Sequence, residues 1–258
     1  MGRYYRDIHI EGPPFAEADV KTLPIWQMWL QGNEKVPPLV RKCLNSVLKY
    51  AANRPRAIMN MQDVNDTVEL PGFIYDKYAK GIICPAHFSD LVRLCLLEQY
   101  GGTWIDATVF LTDALPERIL EDHFFAFRAA TDNIYSAHTF ISNWFISVKP
   151  RHILIKSLKE ALLKYWLAEE QSLGYFVFHH MFYGMVNFHP ALTRIWTTCS
   201  QESNAPPLAV WQRLAEPFDG KWFGALKQVT PIHKLTYKYS KISPGSFLDV
   251  FLNSDAMG

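Results

Sequence analysis

The segment AHFSDLVRLCLLEQYGGTWIDATVF, residues 86–110, constrains the fold more than any other part of this chain. Ser89 and Asp90 predict a helix N-cap and an acidic first turn, and apolar residues follow at the spacing of one buried helix face. A Gly-Gly pair then ends the helix, because the residue beyond a helix end often takes positive φ. The Thr-Trp-Ile strand that follows delivers Asp106 at its end. Open α/β sheets bind ligands where buried strands end, so Asp106 is the first candidate for a functional carboxylate.

Strands and helices alternate along the first half of the chain. This alternation predicts an α/β fold with a mostly parallel central sheet and helices on its faces. At 258 residues, the chain is long enough to bury the core of one such domain. Strands are predicted at 23–30, 57–61 and 103–110. One helix is predicted to begin at residues 37–38, and two others to cover 71–80 and 90–100.

The second half has a less regular pattern. We predict strands at 124–128 and 139–148 and a long amphipathic helix at 151–169. An aromatic-rich stretch follows at 174–185, and 221–241 carries five lysines with no acidic residue among them.

The expected organisation is an N-terminal arm at 1–22 followed by one domain at 23–258. Residues 221–258 would form an α-rich, basic C-terminal tail over the functional site. The sequence contains no repeat and no low-complexity linker that would divide the domain.

Charge and composition exclude several classes of protein. A net charge of +1 gives no strong attraction to nucleic acid, so no nucleic-acid partner is expected. The four cysteines lack metal-ligand spacing, which favours buried thiols in a reducing cytoplasm. No apolar run has the length of a membrane span. We therefore expect a cytoplasmic protein, and peripheral contact with the inner face of the cytoplasmic membrane stays open.

Three motifs in a fixed order give the chain a family resemblance. They are Ser89-Asp90-Leu91-Val92-Arg93, then Tyr100-Gly101-Gly102, then Asp106-Ala107-Thr108. Together they resemble the nucleotide-sugar site of the DXD-type glycosyltransferases, the group with the large clostridial toxin glucosyltransferases and the yeast mannosyltransferases. Within that group, the run YGGTWIDAT is most similar to the bacterial capsular polysaccharide synthesis protein family. The resemblance extends from about residue 24 to residue 238, most of the chain.

This resemblance implies a fold, an activity and its partners. The fold would be a Rossmann-like GT-A fold, and the activity that of a hexosyltransferase-type glycosyltransferase that retains the anomeric configuration. The donor would be a UDP- or GDP-sugar. The acceptor would be a glycan or lipid-linked glycan of a growing bacterial surface polysaccharide, either capsule or lipopolysaccharide O-antigen.

Asp106 is the residue on which this prediction rests. A sugar nucleotide leaves as a diphosphate whose growing negative charge a divalent cation can neutralise as a Lewis acid. The resemblance implies that Asp106 is a catalytic and metal-binding residue and that Mn²⁺ or Mg²⁺ is the cofactor. Thr108 stands where the family pattern has a second carboxylate, so the metal would rest on Asp106, the diphosphate and water. The alternative is that Asp106 caps a turn without a metal.

The helix before the glycines carries the next candidates. Asp90 and Arg93 lie one turn apart on the same helix face. The resemblance implies that Ser89, Asp90 and Arg93 bind the nucleotide sugar through its hydroxyls and phosphate, with Gly102 at the same site. Taken alone, the pair could equally be a cap with a solvated surface ion pair.

Three separate segments complete the site that the resemblance implies. Trp29 would stack on the nucleobase or belong to the core. His233 would complete the metal shell, while Lys234 would hold the leaving diphosphate; alternatively they form a solvated basic strand or contact anionic lipid headgroups. Asn143 would face the donor sugar as a catalytic residue or serve as a turn residue.

The resulting prediction is a metal-dependent glycosyltransferase. The rival, from another functional class, is a non-catalytic protein of the same fold that binds a sugar nucleotide or a glycan. The observation that suggests this alternative is Thr108, which stands where the family pattern has a second carboxylate.

Overall fold

A computed structural model describes residues 1–51, 53–129, 140–200, 202–239 and 241–253. The described strands are β1 (Ile25–Met28), β2 (Arg56–Met59), β3 (Gly102–Ile105), β4 (Val109–Leu111), β5 (Phe124–Ala126), β6 (Phe145–Val148) and β7 (Ile232–Lys234). The described α-helices are α1 (Pro38–Tyr50), α2 (Met61–Thr67), α3 (Gly72–Ala79), α4 (Pro85–Tyr100), α5 (Glu117–Glu121), α6 (Ile153–Ala168), α7 (Val177–Phe188), α8 (Pro190–Thr198), α9 (Ala205–Gln212), α10 (Gly220–Val229) and α11 (Phe247–Asn253).

The central sheet has five strands in the order β2-β1-β3-β6-β5 among the described residues. β1 pairs in parallel with both β2 and β3, and β6 runs antiparallel to both β3 and β5. Four of the five strands therefore share one direction and β6 is reversed. The predicted α/β class and mostly parallel sheet are confirmed.

The two faces of the sheet contribute to different cores. Trp104 and Ile146 on one face pack with helices α4, α6 and α7. The neighbouring residues Ile105 and Phe145 point to the other face, where they pack with Ile232 of β7. This alternation follows from the two-residue period of a strand, and it explains why β3 is buried along its whole length.

The predicted strand 103–110 is wrong as one continuous element. β3 ends at Ile105, and the N–H of Asp106 donates to the Trp144 carbonyl at 2.9 Å. The N–H of Val109 then donates to the Asp106 carbonyl at 2.9 Å, which closes a turn. The chain leaves the central sheet at this turn and enters a second, two-stranded sheet in which β4 pairs antiparallel with β7.

The predicted helix start at Ser89 is also wrong. α4 begins at Pro85 with Cys84 as its N-cap residue, because proline has a helix-compatible φ and needs no hydrogen-bond partner in the first turn. Ser89 and Asp90 thus lie inside the helix, in its second turn. Their side chains can therefore contact the side chain of a residue one turn later in the same helix.

Helix α2 lies in a segment for which no helix was predicted. Asn60 accepts hydrogen bonds from the N–H groups of Gln62 and Asp63, and the Asp63 carboxylate accepts one from the N–H of Asn60. This reciprocal capping box is visible in the sequence as an Asn followed three residues later by an acid.

The predicted elements of the second half are found with shorter bounds. β5 and β6 lie within the predicted strands 124–128 and 139–148, although residue 139 lies outside the described residues. α6 matches the predicted helix 151–169 closely, and the aromatic stretch 174–185 forms most of α7. No helix within the described ranges is both long and apolar enough to cross a membrane.

The region after residue 220 contributes α10, β7 and α11. Phe223 and Phe247 pack there against Phe110 and Leu39 in a separate apolar cluster. The region is therefore anchored to the rest of the fold through β4 and α1. Its predicted role as a cover over a bound donor stays a prediction.

Candidate active site

The candidate site lies where α4, the end of β3 and the β4–β7 pair meet. Four charged side chains form a continuous chain of contacts there, with signs that alternate along it. They are Asp90, Arg93, Asp106 and Lys234, and sequence analysis had placed all four in one site.

Gly101 and Gly102 connect α4 to β3 in a passage that only glycine can make. Their φ angles are +64° and +98°, in the region that side chains disfavour. A Cβ at Gly102 would lie 2.2 Å from the Pro24 carbonyl oxygen, and one at Gly101 would lie 2.7 Å from the Pro150 nitrogen. Close backbone packing accounts for the glycine pair, and the predicted contact of Gly102 with a nucleotide sugar stays a prediction.

Asp90 and Arg93 form a buried ion pair at the base of the site. Arg93 Nη1 donates to Asp90 Oδ1 at 2.9 Å, and the two side chains are 4% and 8% exposed, respectively. Burial raises the pKa of Asp90 to about 6, and the charge of Arg93 opposes that rise. The interpretation of this pair as a solvated surface ion pair is thereby wrong.

Ser89 and Asn143 each make a hydrogen bond to one member of this pair. Arg93 Nη2 donates to the Ser89 hydroxyl at 3.3 Å. Asn143 Nδ2 donates to Asp90 Oδ1 at 2.9 Å. Both predicted site residues therefore reach the cluster through protein contacts, and their contact with a sugar stays a prediction.

Asp106 is surrounded by donors on both carboxylate oxygens. Oδ1 accepts from Arg93 Nη2 at 3.3 Å and from Trp104 Nε1 at 2.9 Å, and Oδ2 accepts from Lys234 Nζ at 3.0 Å. Burial raises the pKa of Asp106, but the charges of Lys234 and Arg93 outweigh burial and lower it below its ordinary value. Asp106 is therefore ionised at neutral pH.

Lys234 reaches the site from β7. Its register partner is Val109, which begins the strand directly after the Asp106–Thr108 turn. Lys234 Nζ contacts both Asp106 Oδ2 and Thr108 Oγ1. The ammonium group thus lies between the first and third side chains of the Asp-Ala-Thr motif, and its side chain keeps 19% exposure to solvent.

The His233 side chain lies on the face of the β4–β7 sheet opposite to Lys234. Its side chain is fully buried, its Nε2 lies 3.2 Å from Thr112 Oγ1, and its ring packs on Phe223. Burial lowers its pKa to about 3, so the ring is neutral. Because neighbouring residues of a strand face opposite sides, the structure does not bring His233 to the cluster with Lys234, and its metal role stays a prediction without geometric support.

Trp29 directly follows β1, is half-buried, and packs against the apolar cluster that contains Ala107 of the Asp-Ala-Thr turn. Its Nε1 donates to the Lys35 carbonyl at 3.3 Å, and its ring meets Tyr237 edge-on at a centroid distance of 5.4 Å. One part of the ring packs on the cluster around Val36 and Val40. Both predicted roles, core residue and base platform, are therefore compatible with its position.

Two residues near the site were not predicted. Trp104 donates to Asp106, and the Arg93 guanidinium lies 4.7 Å from the centroid of the Trp104 ring. The Trp-Ile-Asp spacing is the signal that could have found it, because residues two apart in a strand share a face. Tyr175 is the second: its backbone carbonyl lies 3.2 Å from His87 Nε2, one turn before Asp90 on α4. Partial burial and the charges of Asp106 and Asp90 raise the pKa of Tyr175.

The side chains at this site decide whether it can coordinate Mn²⁺ or Mg²⁺. These ions favour several oxygen ligands and more than one negative charge. The described residues contain no group of three or more His, Cys, Asp or Glu side chains that could hold a metal ion. At the Asp-Ala-Thr turn, Asp106 is the single carboxylate and Lys234 contacts both ligand positions. In this arrangement the residues do not fit a divalent ion.

One comparison with known proteins agrees with the sequence motifs. The family model described as capsular polysaccharide synthesis protein matches residues 10–251. Among solved structures, the PaToxG glycosyltransferase is similar over 68% of this chain and 73% of that chain, with 14% identity and a TM-score of 0.43. A similarity this low carries no argument about function. No curated protein sequence matches.

Proposed function

The chain belongs to the capsular polysaccharide synthesis protein family, and we propose that it is a glycosyltransferase with a GT-A arrangement. It would move a hexose from a UDP- or GDP-sugar to a glycan or lipid-linked glycan of a bacterial capsule or O-antigen. The single observation that carries this proposal is the chain of ion pairs through Asp90, Arg93, Asp106 and Lys234 at the end of β3, buried at Asp90 and Arg93 and partly exposed at Asp106 and Lys234.

The charges of the site suit a sugar diphosphate. Arg93 and Lys234 are two cations whose positions are fixed by carboxylates before any ligand binds, so little reorganisation is needed when negative charge develops. Asp90 offers carboxylate oxygens to sugar or ribose hydroxyls, and Trp29 offers a ring face to the base. Asn143 orients Asp90 by its hydrogen bond.

Retention of the anomeric configuration belongs to the proposal, and the engagement of both carboxylates then favours a same-face attack over a covalent enzyme intermediate. Asp90 pairs with Arg93, and Asp106 pairs with Arg93 and Lys234, so neither is an unencumbered nucleophile. In the proposed step, the bond between the anomeric carbon and the distal phosphate oxygen breaks, and its electron pair stays on the phosphate. The acceptor hydroxyl oxygen bonds to that carbon from the same face, and its proton goes to the leaving diphosphate.

A cytoplasmic location, with peripheral contact at the inner membrane face, completes the proposal. Sugar nucleotides are cytoplasmic substrates, and a lipid-linked acceptor would be presented at that surface. Lysines of 221–241 that lie outside the charge cluster are the groups that would meet anionic headgroups.

A non-catalytic binding protein is the second candidate, and Thr108 in the place of the second carboxylate is the observation that favours it. Slow donor hydrolysis separates the two functions. The purified protein should release nucleoside diphosphate from one member of a panel of UDP- and GDP-sugars. Arg93→Lys has one nitrogen in place of the two that contact Asp90 and Asp106, so it should slow that release, and the exposed helix variant Lys156→Ala should not. Binding of a donor without release across the panel would favour the binding protein.

A further inference from the structure

We propose that the ammonium group of Lys234 takes the place of the divalent cation in this enzyme, so that sugar transfer needs no metal ion. The inference rests on the proposed glycosyltransferase function and concerns how its leaving group is neutralised. It departs from the metal dependence that the sequence motifs predict.

The first observation is where the ammonium lies. In the Asp-x-Asp pattern the two acidic side chains face one metal ion. Here the side chains at those two positions, Asp106 and Thr108, both contact Lys234 Nζ. A lysine ammonium has three hydrogens and no acceptor. Two of these hydrogens serve Asp106 and Thr108, and the third is available to a phosphate oxygen.

The second observation is the charge of the turn. A pair of carboxylates would supply two negative charges to a dication, but Thr108 is neutral. The one negative charge, on Asp106, already faces the two cations Arg93 and Lys234 at 3.3 and 3.0 Å. A divalent ion placed there would be repelled by both cations, whereas a diphosphate would be attracted by them.

The third observation is how firmly Lys234 is held. β7 is paired with β4 along all three of its residues, and Ile232 and His233 beside Lys234 are buried. The base of the Lys234 side chain is thus fixed by the fold, and the side chain as a whole keeps partial access to solvent. A cation in this position is preorganised in the way that electrostatic stabilisation of a leaving group requires.

Lys234 would act on the charge that the reaction creates. When the anomeric carbon–oxygen bond breaks, the electron pair remains on the distal phosphate oxygen, and the diphosphate gains one negative charge. The Lys234 ammonium donates a hydrogen bond to that oxygen and keeps its own proton. The acceptor hydroxyl supplies the proton that the diphosphate finally carries.

The test compares binding and hydrolysis with and without metal. Affinities for UDP and for GDP are measured by calorimetry in EDTA and in Mn²⁺, and donor hydrolysis is measured in the same two buffers. We expect affinity and rate to differ by about twofold or less between the buffers, since no step passes through a metal.

Variants at position 234 test the cation itself. Lys234→Ala should weaken diphosphate binding in EDTA by about 10- to 100-fold, the effect of losing one charge-assisted hydrogen bond. Lys234→Arg should recover most of the loss because it restores a cation. Lys156→Ala, an exposed lysine on α6, is the matched control and should bind as the wild type does. Thermal unfolding of each variant establishes that it is folded.

Three results would overturn the inference. Nucleotide binding or hydrolysis that is lost in EDTA and restored by Mn²⁺ would show a metal-dependent enzyme and leave the glycosyltransferase function standing. Wild-type affinity in a folded Lys234→Ala variant would remove Lys234 from the leaving-group site. Absence of binding and hydrolysis for every nucleotide and donor, with or without Mn²⁺, would remove the proposed function and the inference together.

Discussion

Asn143 donates a hydrogen bond to Asp90 at 2.9 Å, although 53 residues separate them in the chain. The contact ties the turn before β6 to the second turn of α4. Arg93 donates to the same Asp90 oxygen at 2.9 Å. Asp90 is therefore fixed from two directions, as its proposed role of presenting its remaining lone pairs to a ligand in a defined orientation requires.

The first prediction concerns the pH dependence of stability. Burial raises the pKa of Asp90 from 3.8 to about 6, so the unfolded chain loses this proton at a lower pH than the folded chain. The contribution of Asp90 to the free energy of unfolding therefore falls as pH rises from about 4 to about 6. For a pKa shift of this size, the fall is about 3 kcal/mol. In the Asp90→Asn variant this fall in the free energy of unfolding should be absent, as measured by urea unfolding at pH 4, 5, 6 and 7.

Asp76→Asn, an exposed carboxylate on α3, is the control and should keep the wild-type pH profile. An Asp90→Asn variant whose profile matches that of the wild type would contradict the prediction.

A second prediction concerns Asp106→Asn. The amide keeps the shape of the side chain, so the fold should survive, but it removes the charge that holds Arg93 and Lys234. The free energy of unfolding should therefore fall by about 1–3 kcal/mol, less than for the loss of a fully buried ion pair. Donor hydrolysis should fall by about 100-fold because both cations lose their fixed positions. Circular dichroism and nucleoside diphosphate release measure the two effects. Wild-type hydrolysis in this variant would remove Asp106 from the active site.

A third prediction separates packing from ligand contact at Gly102. Gly102→Ala places a Cβ 2.2 Å from the Pro24 oxygen at a φ of +98°, so it should destabilise the protein by about 3 kcal/mol or more. Gly72→Ala at the start of α3 has no atom within 4 Å of the new Cβ and should leave stability nearly unchanged. Thermal melts measure both. If Gly102→Ala melts like the wild type yet loses donor affinity, ligand contact is the dominant constraint there.

A fourth prediction converts the site to metal dependence. Thr108→Asp combined with Lys234→Ala gives the turn two carboxylates and removes the ammonium between them. Each change should favour a dication by about 1–4 kcal/mol at these distances. The double variant should therefore bind Mn²⁺ at least about tenfold more tightly than the wild type, as measured by electron paramagnetic resonance of free Mn²⁺. In Thr108→Asp alone, Lys234 neutralises the added charge and the gain should be smaller; an equal gain in both variants would contradict this account.

Local patterns in the sequence were enough to predict the helix that carries Asp90 and Arg93. Their spacing fixes a common helix face wherever the helix begins, so the pair was predicted correctly although the helix start was not. The start was misplaced because the proline at the first helical position is as strong a signal as Ser89, and only the backbone decides between them.

The contacts around Lys234 could not be derived from local pattern. The break between β3 and β4 depends on the hydrogen bond from Asp106 N–H to the Trp144 carbonyl, and the position of Lys234 depends on the pairing of β7 with β4. Both are long-range contacts. A family resemblance placed Lys234 at the site, but the same resemblance placed His233 there, and the two-residue period of the strand separates them.

The β4–β7 pairing also orders events during synthesis of the protein. Lys234 is added to the growing chain 128 residues after Asp106, the carboxylate that it contacts. A nascent chain that has folded α4 and β3 on the ribosome still lacks β7, so its charge cluster stays incomplete. We expect ribosome-bound intermediates of this protein to lack the proposed sugar-nucleotide site until β7 has emerged, so that ligand capture would come after the folding of α4 and β3.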